Sequence, residues 1–285
     1  MLYLNDDKLK DGCYIMFKEA LPVWQKGKEK EMNHSMLFKT VILCNENSGK
    51  KYVVRIAAST VYQLFINGNF ITAGPCRAAH GFYRVDEIDI TKNLDLGDNV
   101  VVILVAGYNI NNYYTLNQPS FLQAEIVEET YGIVLAATGS CNPFYSRHYK
   151  ERVKKTNKYS FQRTFTEVYK LDRSYKDLFT DVSIGDDFLV PTHTDDKKLI
   201  ERRIPTYNHP ECRVNKVIAR GTCFFGVKPK DYLRTRHVAN IGPMQLGYKY
   251  EELDVCLEDV AQEFQFEPVK VSEDYEGSDK LSAKE

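Results

Sequence analysis

An Asn-Gly pair inside an alternating apolar sequence most constrains how this chain can fold. The stretch VYQLFINGNFITAGP places Asn67 and Gly68 between two short runs. Both residues tolerate the positive φ angles of a type I′ turn, whose twist matches that of paired strands. Because side chains alternate along a strand, we expect Tyr62, Leu64 and Ile66 on one face. The pattern predicts a β-hairpin with one buried face, a unit typical of a β-sandwich.

The same alternation recurs along the chain, and few segments have helical spacing. Turn-forming Asn, Gly and Asp residues separate the strand-like runs. Besides the hairpin, the predicted strands are Leu37–Leu43, Tyr52–Ala58, Val100–Val105, Phe121–Val127 and Ile133–Ala137. The candidates for short helices are Asp177–Phe188 and Leu253–Phe264. The sequence therefore predicts an all-β protein.

Composition and charge narrow the class of protein. A length of 285 residues with 43% hydrophobic content suffices for one large or two ordinary domains. The net charge of -1 argues against a nucleic-acid partner. No apolar run approaches the roughly 20 residues of a membrane helix, so we expect no membrane partner. Seven scattered cysteines and the lack of a secretory signal predict a cytoplasmic protein, or a periplasmic or secreted one if a leader was removed.

The chain carries no familiar signature of a catalytic, cofactor or metal site. It contains no GxSxG elbow, Walker loop, HExxH motif or GxGxxG turn. One His/Cys set has a gap too long for a zinc knuckle, and one aspartate set matches no EF-hand spacing. These sets are His209, Cys212 and Cys223, and Asp86, Asp89, Asp95 and Asp98. We predict no cofactor, no metal and no catalytic residue, although a Cys/His pair formed through space stays open.

Five segments, in a fixed order, resemble the N-terminal region of bacterial α-L-rhamnosidases and their relatives. The segments are PVWQKGKEKEMNHSMLFKTVIL, the hairpin, GFYRVDEIDITKNLDLGDNVVVILV, SFQRTFTEVYKLD and LIERRIPTYNH, and together they cover about residues 20 to 210. In that family a second β-domain follows, and a large α-helical toroid then carries the catalytic carboxylates. The resemblance implies a jelly-roll-like, galactose-binding-like β-sandwich without the helical catalytic domain.

Three regions follow from this organisation. Residues 1–200 are predicted to form the β-sandwich, residues 201–268 part of a second β-domain or linker strands, and residues 269–285 a disordered tail. The boundary falls near Asp195–Pro210, where an acidic turn precedes basic residues and two prolines. The tail is polar and lacks periodicity, which favours disorder.

The resemblance implies a non-catalytic portion of a glycoside hydrolase that supports or shapes a missing catalytic domain or second subunit. Glycoside hydrolysis needs two carboxylates across a sugar pocket, whereas the acidic pairs of this chain are adjacent residues that diverge on a strand. The chain alone is therefore predicted to be inactive. The alternatives are a free-standing carbohydrate-binding module and a structural protein-interaction module.

The loop YNINNYYTLNQPSF is the candidate carbohydrate site, with a rhamnose-containing glycan as the expected ligand. Aromatic faces stack on sugar rings while amides bond hydroxyl groups. The alternative is a packing loop whose Asn residues occupy turn positions. The family's arrangement adds two residues that follow the hairpin. The candidate residues are Tyr108, Asn111, Asn112, Tyr113, Tyr114 and Gln118, together with Arg77 and His80.

Two further features allow a functional and a structural interpretation. The segment Tyr145–Arg163 interleaves basic residues with tyrosines, which suits either a phosphate backbone or a solvated loop. The near-zero net charge favours the loop. Trp24, the single tryptophan, is expected to anchor the N-terminal segment in the core, with a sugar platform as the alternative.

Overall fold

A computed structural model describes most of the chain up to residue 209 and short stretches beyond it. The described residues are 17–45, 49–156, 158, 162–207, 209, 219–224, 247–248, 252–254 and 263–268. They form an all-β protein, as the sequence predicts. Most of the helix predicted over Leu253–Phe264 and the whole tail from residue 269 lie outside the described residues. The last two residues of that predicted helix begin a strand.

Two sheets form the sandwich. The first has the order β11 (Thr192–His193), β1 (Val23–Trp24), β8 (Phe121–Glu128), β3 (Tyr52–Ser59), β6 (Phe82–Asp89) and β12 (Lys198–Glu201), with β9 (Ile133–Ala137) beside β8. The second has the order β10 (Tyr145–His148), β2 (His34–Cys44), β7 (Gly97–Gly107), β4 (Val61–Ile66) and β5 (Asn69–Gly74). A separate pair, β13 (Ala219–Phe224) with β14 (Glu263–Pro268), lies in the range predicted to hold part of a second β-domain.

The hydrophobic core lies between the two sheets. Its largest fully buried members come from both sheets and from the segments that join them, and include Trp24, Phe38, Leu64, Ile103 and Phe144. The Trp24 ring packs against Phe38, and its Nε1 donates a hydrogen bond to the carbonyl oxygen of Lys28 at 3.2 Å. Trp24 therefore anchors the N-terminal segment in the core and offers no surface to a sugar.

The hairpin of β4 and β5 forms as predicted. Asn67 and Gly68 have φ angles of 49° and 80°, the left-handed values that a type I′ turn requires. The Asn67 side chain also links the turn to β7, because its Oδ1 accepts the backbone N–H of Val100 and its Nδ2 donates to Asn99 Oδ1, both at 2.8 Å. Along β4 the even-numbered side chains are buried, as the alternation predicts.

The outer face of the second sheet is covered as well. The segment that follows β10 contains α1 (Asp177–Thr180) and places Phe179 and Phe188 against Leu37 and Val102. The helix predicted over Asp177–Phe188 ends early because the Asp181 carboxylate accepts the backbone N–H of Ser183 at 2.9 Å, an alternative to helical bonding. This cover buries β2 and β7 on both faces.

A buried carboxylate fastens the start of the described chain to the first sheet. Glu125 on β8 is fully buried, and its Oε2 accepts the backbone N–H groups of Lys18, Glu19 and Ala20 at 2.8, 3.0 and 3.3 Å. Its Oε1 accepts a hydrogen bond from Arg55 Nη1 at 3.2 Å. The carboxylate is thus a structural acceptor with four donors around it.

The strand β12 closes the other edge of the first sheet. It pairs with β6 in parallel, whereas the other strand pairs of the described residues are antiparallel. Arg84 on β6 donates from Nη1 to the carbonyl oxygens of Glu201 and Arg202 at 2.7 and 2.9 Å. The Arg202 guanidinium in turn reaches the buried Asp86 at 2.7 Å. These bonds hold the chain against the sandwich to residue 202.

Candidate functional site

A cleft of about 570 Å³ lies beside the loop that follows β7. The turn after β5, the start of β6 and the link between β3 and β4 complete its walls. The lining residues are Ala58, Thr60, Val61, Pro75, Cys76, Arg77, Ala78, Phe82, Tyr83, Arg84, Tyr108, Asn112, Tyr113, Tyr114, Thr115, Leu116, Gln118 and Thr164. Residues from distant parts of the chain therefore meet around one concave surface.

Six of the eight candidate residues line this cleft. They are Arg77, Tyr108, Asn112, Tyr113, Tyr114 and Gln118. His80 is exposed in the turn before β6 and lies outside the lining. Asn111 is also outside the lining, and its Oδ1 accepts the backbone N–H of Asn117 at 2.8 Å. The sequence pattern did not indicate the wall formed by Phe82, Tyr83 and Arg84, because those residues belong to an ordinary alternating strand.

Asn side chains hold the loop in shape. Asn112 Oδ1 accepts the backbone N–H groups of Tyr114 and Thr115 at 2.7 and 2.9 Å. Asn109 has a φ of 46°, and its Nδ2 donates to the Ser120 hydroxyl at 2.8 Å. Asn residues tolerate this left-handed geometry and form such turns readily. The Oδ1 of Asn112 and the Nδ2 of Asn109 thus hold the loop fold, and the tyrosine rings are left to face the cleft.

The tyrosines of the loop differ in exposure. Tyr113 and Tyr114 are 59% and 47% exposed, whereas Tyr108 is 7% exposed. Burial raises the pKa of Tyr108, and its backbone N–H donates to Thr60 Oγ1 at 3.1 Å. Tyr108 therefore forms part of the floor, and the other two rings offer surfaces to a ligand.

Two guanidinium groups lie on the Tyr114 ring. The Cζ atoms of Arg77 and Arg163 are 5.3 and 4.4 Å from its centroid. Both distances fall within the range of a cation–π contact. These contacts fix the ring and keep positive charge at the mouth of the cleft.

Arg84 lies behind this pair. Its Nε donates to the carbonyl oxygen of Arg77 at 2.8 Å. Arg77 and Arg84 are the charged residues in the described lining, which includes no Asp or Glu. The cleft is therefore positive, although the chain as a whole has a net charge of -1.

The buried acid that follows this wall on β6, Asp86, has its hydrogen-bond partners inside the sandwich. Asp86 accepts hydrogen bonds from the Tyr62 hydroxyl at 2.6 Å and from Arg202 Nη1 at 2.7 Å. Burial, followed by the charge of Asp86, raises the pKa of Tyr62 strongly. The backbone of Gly74 passes so close that an added Cβ would overlap Asp86 Oδ2. This network packs the hairpin against β6.

Three of the four aspartates in the set that lacks EF-hand spacing have other partners. Asp86 pairs with Arg202, Asp89 accepts the backbone N–H of Thr91 at 2.9 Å, and Asp95 accepts from Asn67 at 3.2 Å. Among the described residues, no three His, Cys, Asp or Glu side chains gather as a metal ion would require. Cys212, in the proposed His/Cys set, lies outside the described residues.

Two arginines of the basic segment Tyr145–Arg163 are buried. Arg152 Nη1 donates to Asn33 Oδ1 at 2.9 Å and to Ser35 Oγ at 2.8 Å. Arg147 Nη2 donates to Glu151 at 2.8 Å. Both are about 5% exposed or less, so neither can contact a phosphate backbone. The arrangement favours the structural interpretation of this segment.

Solved structures that resemble the chain include a GH78 family rhamnosidase of Bacillus sp. GL1. The likeness covers 72% of this chain and 22% of that one, with 22% sequence identity and a TM-score of 0.61. This confirms the predicted resemblance to α-L-rhamnosidases at the level of the fold. The chain spans about a fifth of the length of the rhamnosidases it matches.

Two further solved structures resemble the chain with lower TM-scores. An α-L-rhamnosidase from Aspergillus terreus matches over 72% of this chain and 24% of that chain, at 14% identity and a TM-score of 0.45. A lectin from Pleurotus ostreatus in complex with GalNAc matches over 62% of this chain and 45% of that chain, at 11% identity and a TM-score of 0.30. No protein family profile and no curated protein sequence matches the chain.

Within the part of the chain that the structure describes, no helix has the length and apolar character needed to span a membrane.

Proposed function

We propose that this chain is a non-catalytic β-sandwich portion of an α-L-rhamnosidase-like glycoside hydrolase. In this role it supports, or shapes access to, a catalytic domain or second subunit. The observation that carries the proposal is a rhamnosidase-like sandwich whose cleft has no carboxylate in its described lining. Glycoside hydrolysis by the usual routes needs a pair of carboxylates on either side of the scissile bond.

Two buried carboxylates, Glu125 and Asp86, support the same proposal. Glu125 is surrounded by three backbone N–H groups and Arg55, and Asp86 by Tyr62 and Arg202. These donors fix both carboxylates inside the sandwich, whereas a catalytic acid or base must be able to reach a bound substrate. Neither group lines the cleft.

Release of an aryl chromophore from α-L-rhamnosides and related glycosides tests this proposal. The purified chain is expected to give no turnover above the spontaneous rate. Turnover that is abolished by substitution of a single carboxylate would overturn the non-catalytic assignment. The substitutions Asp86→Asn and Glu125→Gln should be accompanied by folding controls, since both groups stabilise the sandwich.

Carbohydrate binding at the cleft is a second candidate function. It is favoured by the exposed rings of Tyr113 and Tyr114 beside Gln118 and Asn112 on one concave surface. Aromatic faces of this kind suit the apolar faces of sugar rings, and amides suit hydroxyl groups. A rhamnose-containing glycan is the first ligand to examine.

Calorimetric titration tests the second function, because the buried Trp24 does not line the cleft and its fluorescence would report poorly. Loss of one stacked ring should weaken binding about three- to tenfold, so Tyr113→Ala and Tyr114→Ala should both show this loss. Tyr131→Ala is the matched control, since Tyr131 is 72% exposed and outside the cleft. Equal losses in all three variants, or no saturable binding, would contradict a sugar site.

A further inference from the structure

Several hydrogen-bond donors at the cleft have no acceptor among the described residues. The Arg77 guanidinium lies over the Tyr114 ring and donates no hydrogen bond to any described residue, which leaves its five N–H groups available. Arg163, on the same ring, also makes no hydrogen bond or ion pair with the described residues. The two guanidinium groups therefore present positive charge and hydrogen-bond donors together at the cleft mouth.

Asn112 adds to this imbalance. Its Oδ1 is used by two backbone N–H groups of the loop, while its Nδ2 is buried and has no acceptor among the described residues. A buried donor without an acceptor costs free energy that a new acceptor can recover. The amide thus favours a ligand rich in oxygen acceptors.

We infer that the cleft selects glycans that carry an anionic group, such as a uronate carboxylate or a sulfate ester, with Arg77 as the main contact. This rests on the proposed carbohydrate-binding function and adds the class of sugar. The planar guanidinium fork matches a carboxylate or sulfate with two parallel hydrogen bonds. The lack of any acid in the described lining removes the repulsion that such a group would otherwise meet.

A glycan accounts for the surface better than a nucleic acid does. Arg147 and Arg152, the buried arginines of the basic segment, cannot follow a phosphate backbone. At the cleft, positive charge comes from Arg77 and Arg84 in the lining and from Arg163 on the Tyr114 ring, which is fewer groups than a long basic track contains. Nucleic-acid binding usually needs such a track and a large positive excess.

The experiment compares a uronate-containing oligosaccharide with its carboxyl-reduced, neutral form by calorimetric titration of the full chain. The acidic form is expected to bind about tenfold more tightly or better. A charge-assisted hydrogen bond is roughly twice as strong as a neutral one, and this difference in free energy corresponds to about a tenfold change in affinity. The difference should shrink as salt is raised, because the interaction is near the surface. A sulfated oligosaccharide of the same length tells whether the site distinguishes carboxylate from sulfate.

Two variants should remove the preference for the acidic sugar without unfolding the chain. Arg77→Gln removes the charge of an exposed side chain. Asn112→Asp keeps the oxygen that shapes the loop but adds a negative charge to the lining. Both should bind the acidic and neutral sugars about equally. The control Asn93→Asp adds the same charge to an exposed position on the 3-10 turn Thr91–Asn93, away from the loop and outside the lining, and should leave the preference unchanged.

Each result decides between distinct conclusions. Equal affinity of the unmodified chain for both sugars overturns the inference but leaves carbohydrate binding standing. Saturable binding of neither sugar overturns both. A preference that survives Arg77→Gln and Asn112→Asp overturns the assignment of the anionic subsite to this cleft. A single-stranded oligonucleotide that binds more tightly than any acidic sugar overturns the assignment of a glycan as the ligand.

Discussion

Glu125→Gln is expected to destabilise the sandwich far more than the same change at a neighbouring acid. The buried Glu125 accepts three backbone N–H groups on Oε2 and the Arg55 guanidinium on Oε1. A glutamine must turn its NH₂ group toward one of these two sets of donors, which leaves buried donors without acceptors. Removing one partner of a buried ion pair costs about 3–5 kcal/mol.

Glu129→Gln is the matched control. Glu129 also pairs with Arg55, at 2.6 Å, and with Lys51 at 2.7 Å, but its side chain is 23% exposed and lies in a solvated network. Surface ion pairs of this kind contribute about 1 kcal/mol or less. The two substitutions therefore remove the same charge beside the same arginine and differ mainly in burial.

Thermal unfolding followed by far-ultraviolet circular dichroism provides the assay. For a domain of this size, about 1 kcal/mol shifts Tm by about 2–4 °C. Glu125→Gln should thus lower Tm by about 6–20 °C, and Glu129→Gln by no more than about 4 °C. Faster proteolysis at Lys18 is expected in Glu125→Gln alone. Equal Tm losses in the two variants would refute the reasoning that Glu125 fastens residues 18–20 to β8.

Three further predictions concern the stability of the buried polar networks around His34 and Asp86. Burial, and then the charge of His148, holds the pKa of His34 at about 4 in the folded chain. The unfolded chain therefore gains this proton at a higher pH than the folded chain does. Lowering the pH from 6.5 to 4 should thus reduce the free energy of unfolding by up to about 3 kcal/mol. Urea midpoints across this pH range check this, and an identical slope in His34→Gln would speak against it. Tyr62→Phe should lower the free energy of unfolding by about 1–3 kcal/mol, because Asp86 loses a donor. Thermal unfolding measures this loss, and an unchanged Tm would show that the hydrogen bond contributes nothing to stability. Gly74→Ala should lower the free energy of unfolding by at least as much as Tyr62→Phe, because the added Cβ would overlap Asp86 and Tyr62. A variant with unchanged stability would contradict this close packing.

Local pattern was enough to predict the hairpin and the inner strands. The Asn67-Gly68 turn has the φ angles that its residue types indicate, and β9 has the predicted limits, Ile133–Ala137. In both cases the information lies within a few neighbouring residues: an alternation of period two and turn residues that tolerate positive φ. The aromatic and amide composition of the loop after β7 likewise indicated residues that line a cleft.

Features that depend on distant partners could not be predicted in this way. Glu125 stands in an apolar strand, and its partners lie more than a hundred residues earlier or, in the case of Arg55, seventy residues earlier. The parallel pairing of Lys198–Glu201 with β6 has no local signal, since the segment is short and bears charges at both ends. Charged residues are usually exposed, so a single sequence gives no reason to bury these particular ones.

The strand β12 determines how motion beyond the sandwich reaches the cleft. A flexible linker would absorb a displacement of the residues that follow, but β12 is hydrogen-bonded along its length to β6. A force along β12 therefore acts on all of the hydrogen bonds between β12 and β6 at the same time. The β6 residues paired in this way include Phe82, Tyr83 and Arg84, which form a wall of the cleft. A force on the residues that follow β12 would therefore act on β6, the same strand that forms this wall.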